Sequence, residues 1–78
     1  MFEDQKKIIN DAADNAIAEA EENKGRIDRI GSTRASAIMY LDQIFGSAMA
    51  KVEGGPNQSI TSYVDEVVEH FVKLIEAS

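Results

Sequence analysis

The sequence predicts an all-α fold: an antiparallel helical hairpin plus a third C-terminal helix, in an oligomeric helical assembly. Clusters of glycine and proline break the 78-residue chain at 25–33 and 53–59. The segments between these breaks carry apolar residues at the 3–4 spacing of one helix face. We therefore expect one domain, residues 1–78, with helices at about 3–24, 33–52 and 58–77.

The first helix has a stripe of small apolar residues and an acidic opposite face. The stripe consists of Ile9, Ala13, Ala16, Ala20, Ile27 and Ile30. The acidic face consists of Glu3, Asp4, Asp11, Asp14, Glu19, Glu21 and Glu22. Because alanine dominates the stripe, a neighbouring helix can approach closely. Acidic residues suit the start of a helix but not its end, so the helix either frays at Glu21 and Glu22 or continues through Gly25 with a kink.

The second helix is predicted to begin after Gly31, with Ser32 or Thr33 as its cap. Its apolar residues are Ala37, Ile38, Tyr40, Leu41, Ile44, Phe45, Ala48 and Val52. A helix that is apolar nearly all round has to be buried on most sides, and two helices of one short chain hardly cover it. This favours a homo-oligomer; the alternative is a compact monomer with this helix at its centre.

The third helix follows a Gly-Gly-Pro-Asn turn at 54–57. Its predicted stripe is Ile60, Val64, Val67, Phe71 and Leu74, widened by Val68, Val72 and Ile75. A strand over 63–68 is excluded because Asp65 and Glu66 are adjacent and interrupt the alternation of a half-buried strand.

Composition excludes several classes of protein. The chain has no Cys and one His, so neither a disulfide, a thiolate metal site nor a His-rich zinc site is expected. Small domains are usually stabilised by disulfides, a metal or oligomerisation, and of these three only oligomerisation is left for this chain. No apolar run is long enough to span a membrane, and the first six residues lack the order of a signal peptide, so we expect a cytoplasmic protein. The net charge of -6 argues against duplex nucleic acid as a partner.

Catalytic machinery is not apparent in the sequence. His70 is the sole imidazole, and we interpret it as a surface histidine. Carboxylate pairs such as Asp11 with Asp14, or Asp65 with Glu69, are typical of solvated helix faces. With no phosphate-binding loop or metal motif, we expect no enzyme, no cofactor and no metal.

A basic segment in this acidic chain is the candidate ligand site. Lys24, Arg26, Arg29 and Arg34 fall within eleven positions, and Asp28 is the one carboxylate among them. If a helix begins at Ser32 or Thr33, its free N–H groups, the two hydroxyls and the arginines together suit a phosphate. Tyr40 could stack on a base, although core packing suits it better. The candidate ligand-binding residues are thus Lys24, Arg26, Arg29, Ser32, Thr33, Arg34 and Tyr40.

The basic segment has an alternative interpretation as a solvated loop. Its cations would then lie free in solvent or pair with the acidic helix faces of a neighbour, and Arg29 and Arg34 could bridge to Glu21 or Glu22.

Residues 37–43, Ala-Ile-Met-Tyr-Leu-Asp-Gln, resemble an Ala-Leu-Thr-x-Leu-Glu-Glu signature of small helical phage proteins that act as anti-CBASS sponges. The resemblance covers about half of the chain. Ser32-Thr33 stand where that family has Arg-Glu, and Ser47 stands where it has Trp, so no binding residue is transferred. The resemblance implies a helical oligomer, typically a hexamer, that sequesters cyclic oligonucleotide immune signals without cleaving them.

The sequence thus leads to one function and two alternatives. The first is a non-enzymatic phage-type sponge for a phosphate-bearing nucleotide messenger, such as a cyclic nucleotide, that inhibits host antiviral signalling. The second is a small acidic protein–protein interaction module that inhibits a host enzyme. The third is a structural assembly factor.

Overall fold

A computed structural model describes residues 2–46 and 58–78 of the chain. In these ranges the chain forms helix α1 (Glu3–Ala20), helix α2 (Lys24–Met39), a π-helical segment (Tyr40–Phe45) and helix α3 (Gln58–Ala77). The three α-helices pack on one another, which confirms the predicted all-α class. Residues 47–57, with the predicted end of the second helix at 52 and the turn after it, lie outside the described residues.

Helix α1 begins where predicted and ends earlier. The Lys6 N–H donates to the carbonyl of Phe2 at 2.9 Å, and the buried residues are the predicted Ile9, Ala13, Ala16 and Ala20. The helix ends at Ala20 rather than at 24, because Glu21 adopts φ 56°, in the left-handed region where a helix cannot continue. A turn at 21–23 therefore separates α1 from α2, and Gly25 is neither the end of α1 nor a kink within it.

The predicted break at 25–33 is wrong, because α2 runs through it without interruption. Asn23 caps α2: its Oδ1 accepts from the Arg26 N–H at 3.1 Å, and its carbonyl accepts from the Ile27 N–H at 3.0 Å. Each glycine within a helix costs only about 1 kcal/mol relative to alanine. Burial of Ile30 and Ala37 against the other helices offsets that cost.

The predicted apolar stripe of the second helix continues into a π-helical segment. The Gly46 N–H donates to the Leu41 carbonyl, five residues back, and both Leu41 and Phe45 are buried as predicted. Ile44, in contrast, is 53% exposed in the single chain. The sequence predicts that this helix is buried on most sides. Within one chain, the described part of the helix is not buried to that extent.

Helix α3 matches its predicted bounds of 58–77, but it is rotated relative to the predicted stripe. Among residues 62–77, whose side chains the structure describes, the buried ones are Val64, Val68 and Ile75, whereas Leu74 is 44% exposed. The side chain of the predicted stripe residue Ile60 lies outside the described residues. Val68 and Ile75 were expected only at the edge of the predicted stripe, whereas Val64 belongs to the stripe itself. Leu74, expected in the stripe itself, faces solvent instead.

All five aromatic residues of the chain join in one cluster that ties the helices together. The Phe45 ring lies 5.4 Å from Tyr40, 5.5 Å from Tyr63 and 6.4 Å from Phe2, measured between ring centroids. Tyr40 also contacts Phe71 at 6.1 Å. Since edge-to-face aromatic pairs stabilise packing by about 0.5–1.5 kcal/mol beyond their buried area, this cluster anchors α3 to the π-helical segment and, through Phe45, to Phe2 before α1.

Candidate functional site

The structure changes the setting of the predicted phosphate site. Ser32 and Thr33 lie inside α2, where backbone N–H groups bond to the preceding turn instead of pointing at a ligand. The predicted combination of free N–H groups, hydroxyls and a helix start at these two residues is therefore wrong. The basic side chains remain, and they belong to the first two-thirds of α2.

The helix distributes these side chains over several sides. With about 100° of rotation per residue, Arg26, Arg29 and Thr33 share one side of α2. Arg34 lies about 140° round the helix from Arg29, and Lys24 lies on the side opposite the first three. The structure thus brings together Arg26, Arg29 and Thr33, and it separates Arg34 and Lys24 from them.

Two further candidate residues have different surroundings. Ser32 is exposed and lies next to Arg29 at i,i+3 on the helix surface, at the edge of the arginine side. Tyr40 is half-buried, and its ring packs on Phe45 and Phe71. Tyr40 is therefore a packing residue, and its ring face is engaged by other aromatic rings.

None of the four basic side chains of α2 forms an ion pair within residues 2–46 and 58–78. The cations that do so are lysines of α1 and α3: Lys6 with Asp42, Lys7 with Asp11 at 3.2 Å, and Lys73 with Glu69 at 3.3 Å. The alternative bridges from Arg29 and Arg34 to Glu21 or Glu22 do not form within the described residues of one chain. This leaves four basic residues of α2 without an ion pair in those ranges, Lys24, Arg26, Arg29 and Arg34, which we call the α2 cations.

The α2 cations are concentrated towards the positive end of the helix dipole. Lys24 lies in the first turn, and the Nη1 atom of Arg29 lies 3.6 Å from where a Cβ at Gly25 would be, so its guanidinium folds back over that turn. The Nε atom of Arg26 is shielded from solvent and has no hydrogen-bond partner in the described part of the chain. Positive charge is unfavourable at a helix N-terminus, so an anion bound here would relieve an existing electrostatic cost.

A cleft between α1 and α3 is not predicted from the sequence. Its volume is about 390 Å³, and it is lined by Ala12, Asn15, Ala16 and Glu19 of α1 and by Glu76 of α3. The four α1 residues have i, i+3, i+4, i+7 spacing, so the sequence alone indicates that they share one helix face. The contribution of Glu76 depends on how α3 packs against α1, which the sequence does not indicate. Two carboxylates at the rim repel a phosphate, so this cleft does not suit the predicted ligand.

The remaining polar groups show no catalytic arrangement in the described residues. His70 is exposed, as predicted, with the neighbouring Phe71 ring 6.3 Å away. Hydrogen bonding to Asp42 raises the pKa of Lys6, which keeps that ammonium charged. Within the ranges described, no three Asp, Glu or His side chains come together in a way that could hold a metal ion. None of the helices described there is both long and apolar enough to cross a membrane.

Comparisons of the chain with protein-family models, with curated proteins and with solved structures found no match.

Proposed function

We propose that the protein is a non-enzymatic sponge that binds and sequesters a phosphate-bearing nucleotide messenger and so inhibits host antiviral signalling. The observation that carries this proposal is the set of α2 cations, which have no carboxylate partner within the described residues of a molecule of net charge -6. The resemblance of residues 37–43 to anti-CBASS sponges supplies the nucleotide class and the phage context.

The proposed roles follow from the sides of α2. Arg26 and Arg29 bind phosphate oxygens through their planar guanidinium groups, and Thr33 adds a hydroxyl on the same side. Lys24 and Arg34 act at longer range by raising the local positive potential. Ser32 contributes a hydroxyl at the edge. Base stacking by Tyr40 is not part of the proposal, because its ring packs on Phe45 and Phe71.

The proposal includes an antiparallel hairpin, self-association and a cytoplasmic location. Contacts of Phe2 with Phe45 and of Lys6 with Asp42 support the hairpin, because they join the start of α1 to the segment that continues α2. Self-association is supported by large apolar side chains that are about half exposed. These are Ile8, Met39, Ile44, Tyr63 and Leu74.

Isothermal titration of the full chain tests the proposed ligand. Cyclic dinucleotides, cyclic trinucleotides and ADP-ribose derivatives are titrated into the unmodified protein and into a double variant, Arg26→Ala with Arg29→Ala. We expect at least one nucleotide to bind and the double variant to weaken that binding tenfold or more, since each lost charge-assisted contact contributes about 1.5–3 kcal/mol.

The matched control is Lys7→Ala, which removes one positive charge from the exposed face of α1, where Lys7 pairs with Asp11. We expect this control to bind like the unmodified protein. If no nucleotide binds, or if the double variant binds as tightly as the control, the proposed ligand site is wrong.

The half-exposed apolar side chains also favour a second candidate, a protein–protein interaction module. In that case a partner protein is retained whether or not Arg26 and Arg29 are present, and no nucleotide binds. The third candidate, a structural assembly factor, predicts a stable homo-oligomer that retains neither a nucleotide nor a partner.

A further inference from the structure

The turn between α1 and α2 holds Glu21 in a strained backbone conformation. Its φ of 56° and ψ of -110° suit glycine, because a residue with a Cβ is crowded there. Two backbone hydrogen bonds span the turn, from the Glu21 N–H to the Ala18 carbonyl at 3.4 Å and from the Asn23 N–H to the Ala20 carbonyl at 3.0 Å. The alanine and glutamate residues at 18–22 are strong helix formers. The chain therefore turns here against the local preference of its sequence.

The charges on the two sides of this turn are also unfavourable for the helix dipoles. Glu19 lies in the last turn of α1, and Lys24 and Arg26 lie in the first turn of α2. In one continuous helix, Glu21 would lie three residues before Lys24. Glu22 would lie four residues before Arg26. A glutamate that precedes a cation at these spacings stabilises a helix, so joining α1 to α2 would turn both conflicts into favourable pairs.

The apolar face of α1 needs the surface that it covers in the single chain. Ile9 and Ala13 are fully buried, and α1 packs on both α2 and α3. Lys6 of α1 pairs with Asp42 of the π-helical segment. In a continuous helix these two residues would lie about 54 Å apart, so α1 would lose its place against its own α2 and α3. A second copy of the chain offers the identical surface, and α1 fits it residue for residue.

We propose that the turn at 21–23 is a hinge through which two copies of this chain exchange α1. In the exchanged dimer, α1 and α2 join into one helix, and the α1 of each copy packs on α2 and α3 of the other. Gly25 does not prevent this helix, since α2 already runs through Gly31. Exchange of an identical element is a low-cost route to a dimer, and a short strained hinge favours it.

The occupant is a second copy because only this chain carries an α1 that rebuilds the contacts of the monomer. The net charge of -6 acts against association, and salt screens that repulsion, so high salt should favour the exchanged dimer. The exchange depends on the proposed self-association and is independent of nucleotide binding by the α2 cations.

Cross-linking of the full chain distinguishes exchange from any other kind of association. The sequence has no cysteine, so Lys6→Cys with Asp42→Cys supplies one reactive pair at two partly accessible positions. Associated protein is isolated at high salt, diluted, treated with a short bis-maleimide and separated on a denaturing gel. In the exchanged dimer the two neighbouring cysteines belong to different chains, so we expect a covalent species of twice the 8.5 kDa monomer mass. Lys6→Cys alone is the control for links formed by collision and should run as a monomer.

Two hinge variants should move the association in opposite directions in sedimentation equilibrium. Glu21→Gly relieves the strain of the turn and weakens a continuous helix. It should raise the dissociation constant of the dimer tenfold or more, because each dimer contains two hinges. Asn23→Ala removes the cap of α2 and favours a continuous helix, so it should lower that constant, whereas Asn23→Asp keeps the cap and should leave it close to the unmodified value. Circular dichroism shows whether each variant keeps its helix content.

The outcomes separate the hinge from self-association as such. Cross-links confined to single chains in an associated protein would overturn the exchange while self-association stands. A chain that is monomeric at every protein and salt concentration would overturn both. Hinge variants that shift the dissociation constant in the same direction would contradict the role of the turn.

Discussion

Replacement of Gly31 by alanine tests whether this residue lies in a continuous helix α2, as in the structure, or in a loop, as the sequence predicts. Gly31 lies within Lys24–Met39, and a Cβ built on it meets no atom within 4 Å. The added methyl group therefore costs no steric strain. It removes conformational freedom from the unfolded chain and favours the helix. We expect Gly31→Ala to raise the free energy of unfolding by about 0.5–1 kcal/mol.

Thermal unfolding followed by far-ultraviolet circular dichroism measures this change. For a domain of this size, 1 kcal/mol shifts Tm by about 4–8 °C, so we expect a rise of about 2–8 °C. Gly25→Ala is the control: Gly25 lies in the first turn of α2, where backbone N–H groups have no partner within the helix, so its gain should be smaller. A decrease in Tm for Gly31→Ala would refute the reasoning, because it would indicate a loop conformation that alanine cannot adopt.

Three further predictions address the cap, the core and an ion pair. Asn23→Ala removes the side-chain acceptor for the Arg26 N–H and should lower the free energy of unfolding by about 1 kcal/mol in urea denaturation; Asn23→Asp, which keeps an acceptor, should not. Ile9→Ala should cost about 2–5 kcal/mol because Ile9 is fully buried, whereas its half-exposed neighbour Ile8 should tolerate alanine much better; equal losses would contradict the assigned face of α1. Folding raises the Lys6 pKa, so the stability gained from its pair with Asp42 is complete below the unfolded pKa of about 10.4 and is lost as pH rises through the folded pKa. The difference in unfolding free energy between the unmodified chain and Lys6→Met should therefore shrink above about pH 10.4, and a constant difference would argue against the pair.

Helical periodicity made most of the fold predictable. The spacing Ile9, Ala13, Ala16 and Ala20 identified the buried face of α1, and the amphipathic segment at 58–77 matched the bounds of α3. These features are local, because side chains three and four residues apart share a helix face whatever packs against them.

The glycines predict the turn between the first two helices at the wrong place. Gly25 and Gly31 suggest a break at 25–33, whereas the turn lies at 21–23 and α2 begins at an asparagine cap. Asn23 indicates the start of α2 already in the sequence, since asparagine is among the preferred capping residues. The sequence therefore identifies the basic residues of the candidate site, but it does not give their distribution round α2.

Two features of the surface depended on contacts between helices distant in sequence. The cleft needs Glu76 of α3 and Glu19 of α1 at one site, and Tyr63 and Leu74 are about half exposed because α3 is rotated so that Val68 and Ile75 face inward. The apolar arc of this helix is wider than one stripe, so its periodicity fits either rotation equally well.

The all-α class, the bounds of α3 and the concentration of positive charge in an acidic chain can be predicted from composition and residue spacing, because these are local properties. The packing of the helices fixes which apolar side chains of α3 are buried, which α2 cations share a side and which apolar surface stays exposed. These outcomes depend on packing between whole helices, and a helix with two neighbouring apolar rows buries the one that fits against α1 and α2.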